Sequence, residues 1–433
     1  MAVRGLSPIK SRADAQGSSM ALLLLVLAGL FLAVNAVALM LVRPALGLRP
    51  LVYLSVWAVC AAAGHRWLEH RLPGRDPLLF PIGMFLSGWG LLVIGRLIPA
   101  FAERQALWLA VSAVALMLAA GFAHGVQWLR RYRYLILVFG LSVLAATILL
   151  GRNPSGMIGA PALWLGAGAL FVQPAEALKI LLVAFSASYL AEQYSVLSVE
   201  EVKSGRMFSP RVAGPVLLMW GLSVIILVWQ RDLGTAGLFF IVFLLLVYIA
   251  TGFLWILAGG ALLGVMAVFA AYHLFTVVEL RVDIWLNPWA EADGRAYQIV
   301  QSLQAFAAGG VFGQGIGQGS PAYVPVAHSD FIFAAVGEEW GLLGVIVVVV
   351  ALAVLSLRGL RAALRFPPRS FRSLLAAGLS LLLAVQSLMI MGGVLKLLPL
   401  TGVTLPFFSY GGSSLLASFV ALGLLIRLSA GED

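Results

Sequence analysis

MALLLLVLAGLFLAVNAVALMLV, from Met20 to Val42, is a run of 23 residues without a single charge. One crossing of a bilayer's hydrocarbon core takes about 20 such residues in a helix, because no water is present there to satisfy backbone N–H and C=O groups. Basic residues Arg4, Lys10 and Arg12 precede the run, as they would a signal peptide. The run is too long for one and lacks a small-residue cleavage site, so it reads as an uncleaved first span.

The same rule divides the rest of the chain. Further spans are expected at Leu51–Arg66, Leu78–Ile98, Ala106–His124, Tyr134–Leu150, Ala175–Ala191 and Val212–Gln230. Five more follow at Leu233–Thr251, Leu254–Thr276, Phe331–Leu357, Arg372–Lys396 and Phe407–Arg427, which makes about 12 in an all-α polytopic membrane protein. Leu51–Arg66 is the shortest. Composition agrees: 62% of the 433 residues are hydrophobic and 11% charged, with a mean hydropathy of +1.02. Most of the surface must therefore face lipid. The net charge of +10 does not point to nucleic acid, because the basic residues stand singly between apolar runs. Cys60 is the only cysteine, which excludes an intrachain disulfide and a cysteine-based metal site.

Lys and Arg tend to stay on the cytoplasmic side of a membrane. With the N-terminus inside, the inner segments hold 18 of the 28 basic residues, so both termini are expected in the cytoplasm. The longest connection, 277–330, then lies outside. Long connections in compact proteins are more often functional than idle. This one opens with aromatic residues beside charges (Glu279, Arg281, Asp283, Trp285, Trp289), suited to the headgroup level. It continues through Glu291, Asp293 and Arg295 into an amphipathic segment, Tyr297–Phe306, where Gln298 and Gln301 share a helical face. The glycine run Gly309–Gly319 cannot be a stable helix, and it fits neither nucleotide-binding glycine motif.

Tyr297–Leu303, the glycine run, His328–Ala334 and Gly337–Gly341 together resemble the signature of the SEDS family (shape, elongation, division and sporulation), the RodA/FtsW group. Gln173–Lys179, Asp232–Ala236 and Pro399–Ser414 agree with it and follow in the family's order. The resemblance covers the last ten spans, ten being the family's usual number. Residues 1–75 then hold a tail and two added helices, and 76–433 a SEDS-like membrane domain that includes the extracytoplasmic loop 277–330.

The resemblance implies a peptidoglycan glycosyltransferase in the bacterial cytoplasmic membrane, joining lipid II units into glycan strands at its outer face. Such chemistry asks for a base to take a proton from an acceptor hydroxyl and for positive charge on the departing undecaprenyl pyrophosphate. The family's catalytic aspartate, counted from the Asn287-Pro288-Trp289 flank and from Tyr297-Gln298, falls on Glu291, a departure from the family pattern. Asp293, two residues on, is the substitute. Glu176 and Lys179 form either an i,i+3 ion pair or a hold on the pyrophosphate. Arg231 and Asp232, in a two-residue outer turn, either pair structurally or line the cavity. Asp330 is either a helix-start carboxylate or part of the site, and Lys396 either snorkels or meets the pyrophosphate. The resemblance fixes no cofactor and leaves room for a divalent cation, Mg or Mn. It implies a class B penicillin-binding protein as partner, since nothing here resembles a serine acyl-transfer site. A lipid II transporter and a scaffold that recruits that partner without catalysis remain as alternatives.

Overall fold

The computed structural model describes residues 12–122, 124–153, 162–167, 170–196, 210–230 and 232–431. The protein is a polytopic bundle, and among the described residues 11 helices are long and apolar enough to cross a membrane. These are α1 (Arg12–Val42), α2 (Arg49–Arg71), α3 (Leu79–Leu97), α4 (Pro99–Gly121), α6 (Arg133–Leu150) and α7 (Pro174–Val196) in the first half. The second half supplies α9 (Leu233–Thr251), α10 (Leu254–Leu274), α13 (Ile332–Ala363), α14 (Phe371–Val394) and α15 (Gly412–Ala430). A further helix of 20 residues, α8 (Pro210–Trp229), stands where the seventh span is expected. The short second run gains length at both ends and becomes a full crossing of 23 residues. Helix α5 (Gly125–Arg131) and a hairpin of β1 (Leu165–Ala167) and β2 (Leu170–Val172) complete the connections before α7.

Burial sorts the helices. In their most apolar stretches α3, α7, α14 and α15 are 83%, 89%, 83% and 78% buried, against 11% for α10. Since α10 is apolar on every face, its exposed sides suit lipid. Helices α1 and α2 pack on each other and on α3, where Trp57 Nε1 donates to Met84 O at 2.7 Å. The opposite ends of the bundle differ in character. At one, Arg358 pairs with Asp76 and the Asp76 N–H donates to Ser429 Oγ, fastening α13 and α15 to the start of α3. The other carries the long connection, and its fold positions the candidate site.

That connection holds two helices, α11 (Thr276–Leu286) and α12 (Tyr297–Gly309), the second matching the expected amphipathic segment. After α12 the glycine run makes a tight loop against α13. Helix α13 is broken at Gly341, whose φ of 65° lies in the left-handed region that a side chain disfavours. The break frees backbone groups, and the loop takes them up: Gln314 N donates to Glu338 O (2.8 Å) and Gly315 N to Glu339 O (3.1 Å). In return Leu342 N donates to Gly310 O at 2.9 Å and Leu343 N to Val311 O at 3.3 Å. A Cβ on Gly341 would strike Gly313 N and Val311 O. The glycines thus serve close backbone contact rather than a phosphate cradle. The expected single span from Phe331 is therefore a half-helix, Ile332–Trp340, followed by the crossing proper. The twelfth span also starts later than expected, because Phe407 has a φ of 64° and the chain turns before Gly412.

Candidate active site at the loop-bearing end

Helix α7 begins at the loop-bearing end with Glu176 in its first turn. Its carboxylate lies 2.6 Å from the Lys179 ammonium, and both side chains are buried. Lys179 Nζ also donates to Gln386 Oε1 on α14 at 3.0 Å. Gln386 Nε2 in turn donates to Thr404 O at 2.8 Å, and the Thr404 and Ser414 hydroxyls lie 2.5 Å apart. A charged pair is thus held inside the bundle by a hydrogen-bonded chain, the condition under which such groups persist away from water.

Asp232 caps α9, its Oδ1 accepting from the Thr235 N–H at 3.2 Å, while its buried Oδ2 has no partner among the described residues. Asp330, just before the half-helix, accepts from Ser329 Oγ at 3.2 Å. Arg281 of α11 ties these elements together. It donates to Thr401 O at 3.4 Å, and its charge acts on both Asp232 and Asp330. Asp232 also feels Lys179 and Glu176. Both aspartates are densely surrounded yet partly accessible, as groups on the wall of a cleft are. Burial pushes both carboxyls above the usual carboxylate range, against the pull of Thr235 on one and of Ser329 and Arg281 on the other. The segment before Asp330 is pinned: Ser409 Oγ donates to Ser329 O at 2.7 Å and the Tyr410 N–H to His328 O at 2.9 Å. His328 packs beside Phe101 and Tyr410, and burial lowers its pKa. That suits a structural ring.

The other residues expected at the site stand differently. Glu291 ends a short 3-10 turn and is clasped by both arms of the Arg295 guanidinium, which holds its carboxyl below the usual range. No charge of the Asp330 cluster acts on it. Asp293 is exposed, and Gln298 and Gln301 are half-buried on α12, whose Ile299, Val300 and Ser302 face inward. Lys396 anchors the end of α11, donating to Leu286 O at 3.4 Å while its own carbonyl accepts from Trp285 Nε1 at 3.1 Å. Arg231 lies outside the described residues.

Beside the Glu176–Lys179 pair runs an apolar groove of about 600 Å³ between α4, α5, α7 and α15. Gln173, Glu176 and Ser413 line its loop-bearing end, and Leu118, Trp128 and Leu424 line the far end.

Residues 92–433 match the family model of the FtsW, RodA and SpoVE cell cycle proteins. The chain belongs to this family. Two curated members, the peptidoglycan glycosyltransferases RodA of Mycobacterium tuberculosis and of Mycobacterium leprae, are similar along most of their lengths. The first is 41% identical over 383 residues, which is 85% of this chain and 81% of the relative. The second is 38% identical over 389 residues, 87% and 82% respectively. Among solved structures, a chain of a peptidoglycan synthase complex that coordinates polymerization and crosslinking superposes with a TM-score of 0.69 at 25% identity, over 83% of this chain and 98% of that one. The FtsW/RodA/SpoVE membership agrees with the SEDS resemblance of the seven motifs, and four of these motifs converge in space. Gln173–Lys179, Asp232–Ala236, His328–Ala334 and Pro399–Ser414 all meet around the cluster.

Three participants escaped the sequence reading. Gln386 is a lone amide in an apolar span, itself a signal of an interior polar contact. Arg281 stands among aromatic residues and other charges that suit the headgroup level, which hides its inward role, and Arg96, which pairs with Glu339, carries no motif.

Proposed function

We propose that this peptidoglycan glycosyltransferase polymerises lipid II at the Asp330–Arg281–Asp232 cluster, on the outer face of the cytoplasmic membrane, with Asp330 as general base. The observation that carries this is the cluster itself: the Arg281 charge acts on both Asp330 and Asp232, and Asp232 in turn feels the buried Lys179. A base needs a pKa nearer the working pH than an ordinary aspartate has. Asp330 would take the proton of the acceptor sugar hydroxyl as that oxygen attacks the anomeric carbon of the donor. The bond to the undecaprenyl pyrophosphate then breaks, and Arg281 and Lys179 face its growing charge. The apolar groove ending at Glu176 suits the polyprenyl tail. Glu291, satisfied by Arg295 at the surface, is replaced in this reading as the base, and Asp293 with it. Gln298, Gln301 and Lys396 become supports of the loop rather than substrate ligands.

A divalent cation is compatible with the donors present. No preformed group of three metal-binding side chains occurs among the described residues. Mg or Mn, however, is commonly held by one or two carboxylates together with substrate phosphates. Asp232, whose Oδ2 has no partner among the described residues, would supply one such carboxylate, leaving Asp330 free as the base, and the ion would neutralise the leaving pyrophosphate. The outward orientation of the loop-bearing end is supported by the gathering of basic residues at the opposite end. A class B penicillin-binding protein as partner is supported by the synthase-complex relative.

The test is polymerisation of lipid II by purified protein. Asp330→Asn should lower it by about 10²-fold or more, whereas Glu291→Gln should leave it within a few-fold. The reverse pattern would return the base to Glu291.

A further inference from the structure

Helix α1 lies outside the matched residues 92–433, yet it grips the loop beside the candidate site. Arg43, one residue past its end, donates from Nε to Gly317 O at 2.8 Å, across 274 positions of sequence. Asn35, buried within α1, accepts from Trp340 Nε1 at 3.1 Å while its own amide donates to Phe31 O at 2.7 Å. A Cβ on Gly317 would meet Leu39, Val42 and Arg43 at 3.2, 3.4 and 3.5 Å, so helix and loop are in van der Waals contact. An amide inside a membrane span is costly unless it is paired, and the interhelical partner of this one is Trp340.

The position of Trp340 gives the contact its meaning. It is the last residue before the break at Gly341, so it ends the half-helix Ile332–Trp340, and Asp330 leads into the other end. At about 1.5 Å per residue that half-helix is a rod about 13 Å long. A tilt of about 5° would move its far end by about 1 Å, a displacement that can cost about a hundredfold in rate. Within the family core Arg96 steadies the same end, donating to Glu339 Oε1 at 2.7 Å and to Gly319 O at 2.6 Å. Asn35 and Arg43 grip it from the outer side.

We propose that α1 is a clamp for the catalytic half-helix, with Asn35 and Arg43 as positioning residues that hold the glycine loop and Trp340, and through them Asp330, in place for glycosyl transfer. This rests on the reading of Asp330 as the base. The test uses full-length protein carrying Asn35→Ala, Arg43→Ala or both, with amide hydrogen exchange and lipid II polymerisation measured on the same samples. Exchange should rise in residues 310–320 and not across the bundle. Turnover (kcat) should fall by about tenfold with KM for lipid II changed by less than about twofold, since positioning acts on the transition state. Arg43→Lys, which keeps a donor, should restore both loop protection and most of the turnover. Unchanged exchange in the double variant overturns the clamp. Raised exchange with unchanged kcat overturns its part in catalysis, and a loss that spreads through the bundle and is not rescued by Arg43→Lys reduces it to general stability. Failure of the Asp330 reading would appear separately, as an active Asp330→Asn enzyme.

Discussion

The Lys179 ammonium lies 2.6 Å from the Glu176 carboxylate, inside the bundle, and both charges act on Asp232. Removing one partner of a buried pair strands the other charge and typically costs about 3–5 kcal/mol, whereas replacing both is often tolerated. Lys179→Met alone should therefore lower the melting temperature, and Lys179→Met with Glu176→Gln should recover it. If Lys179 also faces the pyrophosphate, the recovered double variant remains defective in lipid II polymerisation. A double variant that regains both fold and activity would leave the pair purely structural.

The second prediction concerns pH. A general base works only when deprotonated, so polymerisation falls as pH drops through its pKa. Burial raises Asp330 and Asp232, so the acid limb of kcat/KM should lie above the ordinary carboxylate value of about 4. Because Arg281 acts on both, that limb reports the cluster rather than one residue. Arg295 lowers Glu291 instead. An acid limb below the ordinary range would thus favour Glu291 and sink the present assignment.

The contrast between these carboxylates shows what a sequence can and cannot disclose. The crossings were legible because hydropathy over about 20 residues is a long-range, redundant signal. Tyr297–Phe306 was legible as a helix for the same reason of periodicity. Motif content identified the family. Which acids of the long connection share a charged partner was not legible. A count between flanks assumes one continuous loop geometry, whereas α11 and α12 fold Arg281 toward Asp330 and leave Glu291 to its neighbour Arg295. The break at Gly341 was hidden too, since a half-helix and a span have the same apolar composition, and the positive φ of Gly341 with the pairing of Gln314 and Gly315 to freed carbonyls reveals it.

Gly341 supplies the third prediction. Alanine there would meet both a disfavoured φ and the backbone of Gly313 and Val311. Gly252 has a φ of 79° with nothing within 4 Å of a Cβ, so it isolates the conformational cost. Gly252→Ala should destabilise by about 1–2 kcal/mol, as left-handed backbone does for a side chain. Gly341→Ala should cost clearly more and should loosen residues 310–320 in hydrogen exchange. Equal melting temperatures for the two variants would show that the loop yields without penalty.

The final prediction fixes the side of the membrane on which the cluster works. Ser320 lies in the connection beside Glu338, its N–H donating to that carboxylate at 2.6 Å, and Ser370 caps α14 at the opposite end. The end bearing Ser370 also carries Arg358, Arg361, Arg365, Arg369 and Arg372, a concentration that translocation disfavours. Cys60 is buried, so its background labelling should be small, and Cys60→Ala removes it. In intact cells a membrane-impermeant thiol reagent should modify Ser320→Cys and spare Ser370→Cys, with both modified after permeabilisation. Modification of Ser370→Cys alone in intact cells would put the Asp330 cluster on the cytoplasmic side, where a polymerase of exported lipid II could not act.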